Sequence, residues 1–138
     1  MKRFLPIAVI ASALLVPHIA HASPPTGTLT GTVVVHKGIT LTCTLTLTIS
    51  SGGTATIALT PGDSNCAALS FNNQPYATSY SGGSTGTFTV KDVDVSTITL
   101  GDCKGDISGT WTGSTLVINA TLPAKTDGPS CSVVGTAS

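Results

Sequence analysis

Residues Ile39 to Ser50 read ITLTCTLTLTIS. Apolar side chains fall at every second position, Ile39, Leu41, Cys43, Leu45, Leu47 and Ile49, with threonine at each position between them. An alternation of period two sends one set of side chains to each side of an extended chain, so this stretch is a β-strand with one buried and one outer face. Threonine and isoleucine, branched at Cβ, also suit a pleated surface. Reading outward on the N-terminal side, Thr28 to Val35 (TLTGTVVV) keeps Leu29, Val33 and Val35 in one phase and is an earlier strand. Lys37-Gly38 marks the turn between the two. On the other side, Ser51-Gly52-Gly53 signals a hairpin, Ala55, Ile57 and Leu59 alternate on the return strand, and Pro61-Gly62-Asp63 ends it.

Further along, Phe71 to Gly86 (FNNQPYATSYSGGSTG) reads as a long irregular loop. Strand signal returns at Thr87 to Lys91, at Val93 and Val95, and at Ser96 to Leu100. Asp106 to Trp111 and Thr115 to Leu122 form a second hairpin about Gly113-Ser114, and Cys131 to Thr136 is the last strand candidate. No run of helical periodicity follows residue 22. The expected class is all-β. The expected architecture is a single antiparallel β-sandwich, Greek-key or immunoglobulin-like, of about eight or nine short strands.

Residues 1–22 stand apart. Lys2 and Arg3 precede an apolar run, and Ala20-His21-Ala22 places small residues before a cleavage point, the pattern of a cleavable signal peptide. Residues 23–138 are then one domain, with no later stretch of membrane-spanning length. This part holds four lysines, six aspartates and no arginine or glutamate, a formal charge of −2. Such a balance lacks the basic footprint of a nucleic-acid binder. The expected location is outside the cytoplasm, either periplasmic or extracellular.

Four cysteines in an exported chain imply two disulfides. A weak internal repeat helps to pair them. Each half reads cysteine, strand, glycine turn, strand, proline, loop, cysteine: Cys43 to Cys66, then Cys103 to Cys131. If Ile49 faces Ala55, Cys43 falls opposite Pro61, within a short loop of Cys66. The second hairpin likewise puts Cys103 opposite Ala124, seven residues before Cys131. The predicted bonds are Cys43–Cys66 and Cys103–Cys131.

Candidate chemistry is sparse. After residue 22 the only histidine is His36, no G-x-S-x-G occurs and no glutamate is available, so hydrolytic catalysis has no constellation to use. No enzyme activity and no cofactor are expected. Asp92-Val93-Asp94 offers two carboxylates, without the loop glycine and distal acid of a calcium-binding loop. Strands edged by such charges resist aggregation, which accounts for them as well. The threonine comb, Thr40 to Thr48, is a hydroxyl surface on one strand. Were that strand at a sheet edge, it would favour self-association. Phe71, Tyr76 and Tyr80 in the long loop are the candidate ligand contacts, with Trp111 assigned to the core.

Several short segments in order resemble the small exported family of alkane oxidation activators (PraB-type proteins). They are Lys37-Gly38-Ile39 leading to Cys43, Val95-Ser96-Thr97 leading to Leu100-Gly101-Asp102-Cys103, Gly109-Thr110-Trp111, and Cys131-Ser132-Val133. The resemblance implies a non-enzymatic accessory protein linked to growth on hydrocarbons, with hydrocarbon or cell-surface components as partners. It brings no catalytic residue with it. Alkane handling predicts an apolar patch or cavity bordered by Phe71–Gly86. The alternative is a surface or biofilm-matrix subunit that assembles through exposed strands.

Overall fold

A computed structural model describes residues 24–61, 64–97, 101–126 and 128–138. The predicted signal peptide, residues 1–22, and most of the Ser96–Leu100 strand candidate lie outside the described residues. The strands are β1 (Gly27–Lys37), β2 (Ile39–Ile49), β3 (Thr54–Pro61), β4 (Ser70–Asn72), β5 (Tyr76–Gly82), β6 (Gly86–Ser96), β7 (Asp102–Trp111), β8 (Leu116–Leu122) and β9 (Cys131–Ala137). A short 3-10 helix, Ser64–Ala68, precedes β4.

The all-β expectation holds, but the architecture is a barrel and not a sandwich. The strands run β6-β5-β3-β2-β1-β9-β8-β7, and β7 pairs back onto β6. This is an eight-stranded up-and-down barrel closed by its first and last strands. Alternation alone does not distinguish the two architectures, because both give every strand one inner and one outer face. Closure depends on two glycines. At the β1–β9 junction, Val33 faces Gly135, and the ladder extends to reciprocal backbone bonds between Thr30 and Ser138 of 3.1 and 2.9 Å. A Cβ on Gly31 would lie 1.8 Å from the Thr136 carbonyl oxygen, and one on Gly135 would lie 2.3 Å from that of Thr32. Glycine inside a strand marks such a close backbone approach.

The stretch Phe71–Gly86 is a second correction. It is not an irregular loop but β4, a three-residue interruption at Asn73–Pro75, and β5, which together make one lane along β6. Its polar, glycine-rich sequence hides the strands because the lane is kinked. The β6 partner carries an irregularity between Val90 and Val93, where Asp92 has a φ of 54°. The extra residue bends the strand, as bulges do in barrel walls. On the other side of the lane, β5 meets β3 only at Thr54–Ala77 and Ala55–Tyr76. Above that, the Ile57 amide donates to Gln74 Oε1 at 2.6 Å, a side chain standing in for a missing ladder bond.

The hairpin registers agree with the sequence reading. Ile49 faces Ala55 and Cys43 faces Pro61, while Cys103 bridges to Ala124. The disulfides are Cys43–Cys66 and Cys103–Cys131, with Cα–Cα distances of 5.8 and 6.1 Å. The first ties the 3-10 helix to β2. The second reaches from β7 across β8 to β9.

Candidate functional site

The two ends of the barrel differ. At one end the strands turn tightly, at Ser50–Thr54, Gly82–Gly86 and Thr112–Thr115. Beneath those turns Leu29, Ile49, Ala55, Trp111 and Ala137 form a buried floor. At the other end lie the β1–β2 turn, the 3-10 helix and the longer connections after β6 and β8. Between the floor and this open end the interior holds an apolar space of about 180 Å3.

The space extends along β2 from Leu47 to Ile39, roughly 27 Å of strand at the usual rise per residue. Leu45, Phe88, Leu116 and Ile118 wall its deeper part, and Leu69 and Phe71 its upper part. Its lining reaches the surface at Asn65 and at Ile39, which is 47% exposed. For scale, an apolar cavity of about 150 Å3 stays dry and takes up benzene. An elongated space of this size suits an aliphatic chain better than a polar or planar ligand.

Among the described residues that line the space, Lys37 is the only charged one. It occupies the inner phase of β1, after Leu29, Val33 and Val35, and is only 4% exposed. Among the described residues its ammonium has one polar partner, the Pro129 carbonyl oxygen, which accepts from Nζ. Sequence reading assigned Lys37 to a turn. The signal that identifies it is its phase, a lysine on the positions that otherwise bury valine and leucine.

The three aromatic candidates separate. Phe71 lines the space. Tyr76 is buried below it, and its hydroxyl donates to the Asn72 carbonyl at 2.6 Å, with the Asp94 carbonyl 3.2 Å away. Desolvation by burial raises the Tyr76 pKa, the backbone hydrogen bond with Asp94 opposes this, and the Asp94 charge adds to the rise. Tyr80 is half-buried and donates to the Gly83 carbonyl, fastening the β5–β6 turn. Neither tyrosine borders the space, so their contacts are internal to the fold. Trp111 is core, as expected.

Asp92 and Asp94 do not face a common point. The Asp92 amide donates to Asp106 Oδ1 at 3.0 Å. Asp94 is buried, with Lys125 Nζ at 3.2 Å and the Asn72 and Asn73 side-chain amides each at 3.5 Å. No group of metal-ligating side chains gathers among the described residues. His36 is exposed on the outer face, its Nδ1 2.9 Å from Thr40 Oγ1. The threonine comb spreads beyond its own strand, with Thr48 flanked by Thr28 and Thr56, and Thr44 by Thr32 and Thr60. Because β2 pairs with both β1 and β3, it presents no edge for assembly.

These features define a small closed β-barrel whose outer face is largely polar, apart from the exposed Val34, Val117 and Val134, and whose apolar space opens at one end. A barrel spanning a bilayer carries the reverse pattern, apolar outside. No helix among the described residues is long and apolar enough to cross a membrane. Comparison with curated proteins found no significant match, nor did comparison with solved structures. The family comparison is decisive: the model of the PraA/PraB-like alkane oxidation protein activators matches residues 1–138, and the chain belongs to that family.

Proposed function

We propose that this chain is an exported, non-enzymatic accessory protein of alkane utilisation that takes an aliphatic chain into the barrel, acting at the cell surface or the hydrocarbon–water boundary. The observation that carries the reading is the apolar space opening beside Ile39, Leu69 and Phe71, in a member of the alkane oxidation activator family. Two disulfides support an oxidising compartment. Taking up an aliphatic chain removes apolar surface from water at about 25 cal/mol per Å2, and a preformed space spares the protein much of the cost of ordering.

The test is competition in solution. Purified oxidised protein is loaded with an uncharged fluorescent phenylnaphthylamine, and linear alkanes and alkanols are titrated in. Displacement that weakens when Phe71 or Leu69 is replaced by asparagine supports uptake through the open end. Absence of displacement, together with no excess lowering of alkane–water interfacial tension over an unrelated disulfide-bonded β-domain, overturns the reading.

A further inference from the structure

We infer that the preferred occupant of the barrel is an aliphatic carboxylate, with its chain in the apolar space and its head group on the Lys37 ammonium. This rests on the reading of the barrel as a carrier and specifies the ligand class. Lysine is almost never fully buried without a partner, because removing an ammonium from water is costly unless its charge and donors are satisfied. Lys37 is 4% exposed and lines the space. It has three donors to place, and among the described residues the Pro129 carbonyl takes one. Among the described residues no carboxylate lines the space to neutralise it.

Its position fits a head-group anchor. Lys37 faces Ile39 across the β1–β2 turn at the open end. The deeper walls, from Leu41 to Leu47 and from Leu116 to Leu122, contribute only apolar side chains. An occupant with one anionic end and one aliphatic end satisfies both regions at once. A plain alkane satisfies only the deeper one and leaves the ammonium's donors unmet. Carboxylates of this kind are the products of terminal oxidation of an alkane, so a carrier selecting them would act on the product side of that chemistry.

The test compares octane, octanol, octanoate and octylammonium as competitors for the same uncharged probe, on full-length oxidised protein and on Lys37→Met and Lys37→Arg. Octanoate is expected to bind on the order of tenfold or more tighter than octanol, the usual gain of a charge-assisted hydrogen bond, with octylammonium weakest. Lys37→Met removes the octanoate advantage and leaves octanol binding in place, while Lys37→Arg retains it. Equal affinity for octanoate and octanol in the unaltered protein, or an octanoate preference that survives Lys37→Met, overturns the inference and leaves the carrier reading standing. If no eight-carbon competitor displaces the probe, the carrier reading falls and the inference with it. Unfolding curves establish that the variants fold; if Lys37→Met does not, the neutral polar Lys37→Gln takes its place, and an octanoate preference that survives it overturns the inference.

Discussion

The closed end of the barrel is held by packing, the open end by covalent bonds. Around the floor, Trp111, Leu29, Ile49 and Ala137 are buried against one another, and the strands turn within a few residues. Both disulfides lie toward the opposite end: Cys66 in the 3-10 helix, and Cys103 and Cys131 near the open-end termini of β7 and β9. A space kept free of side chains gives up the dispersion contacts that would fill it. The open end cannot be stabilised by filling it without losing the space. Cross-links offset that loss by restricting the unfolded chain.

The largest effect is expected at the floor. Trp111→Ala removes the largest side chain of the closed end and should lower the unfolding free energy by about 3–5 kcal/mol, read as a fall in the urea midpoint with the slope unchanged. A loss under 1 kcal/mol would break the contrast, because it would mean the floor is not packed. Next come the cross-links. Replacing either cysteine pair with alanine opens a loop of sequence separation 23 or 28, which the loop-entropy model values at about 3.5 kcal/mol. The contrast sharpens if hydrogen exchange in each variant rises first around the open end while amides near Trp111 stay protected.

A smaller loss is expected from Leu45→Ala. Leu45 is buried but faces the apolar space on one side, so it makes fewer contacts than a floor residue. Its truncation should cost about 2 kcal/mol, the low end of the range for leucine. It should also widen the space and shift the best competitor toward longer or branched chains. A loss as large as that of Trp111→Ala would show that the two ends are packed alike.

The same division governs what was legible in the sequence. β2 pairs along its length on one side and through most of it on the other, so its period-two pattern is undisturbed. The cysteine pairing followed from hairpin register alone. The lane of β4 and β5 was obscured because its hydrogen bonds are divided between backbone and side chains such as Gln74, which leaves no clean alternation. Closure into a barrel rests on what Gly31 and Gly135 lack, and a missing side chain gives no periodic signal. Of the three aromatic residues singled out in the sequence, Phe71 lines the apolar space and Tyr76 and Tyr80 do not. Lys37 was missed because Lys37-Gly38 is also a good turn, and its inward phase matters only once the interior is known to be hollow.

Tyr76 joins the broken lane to β6, and the smallest predicted effect belongs to it. Its hydroxyl donates to the Asn72 carbonyl from a buried site beside Asp94, so Tyr76→Phe should cost about 1 kcal/mol near neutral pH. Burial raises the phenol above its usual value of 10.0. The neutral form is therefore favoured in the folded protein, while the unfolded chain begins to ionise near that value. Above it the unfolded state binds fewer protons than the folded one, so stability falls as pH rises. The contribution is fully present below pH 10 and is lost as pH climbs through the folded pKa. Urea unfolding on either side of pH 10 should show this loss in the unaltered protein and a smaller one in Tyr76→Phe, where only the remaining groups titrate. Equal alkaline losses in the two proteins would mean that the hydroxyl is solvated. The lane would then be held by Gln74 and by the Asp94–Lys125 pair instead.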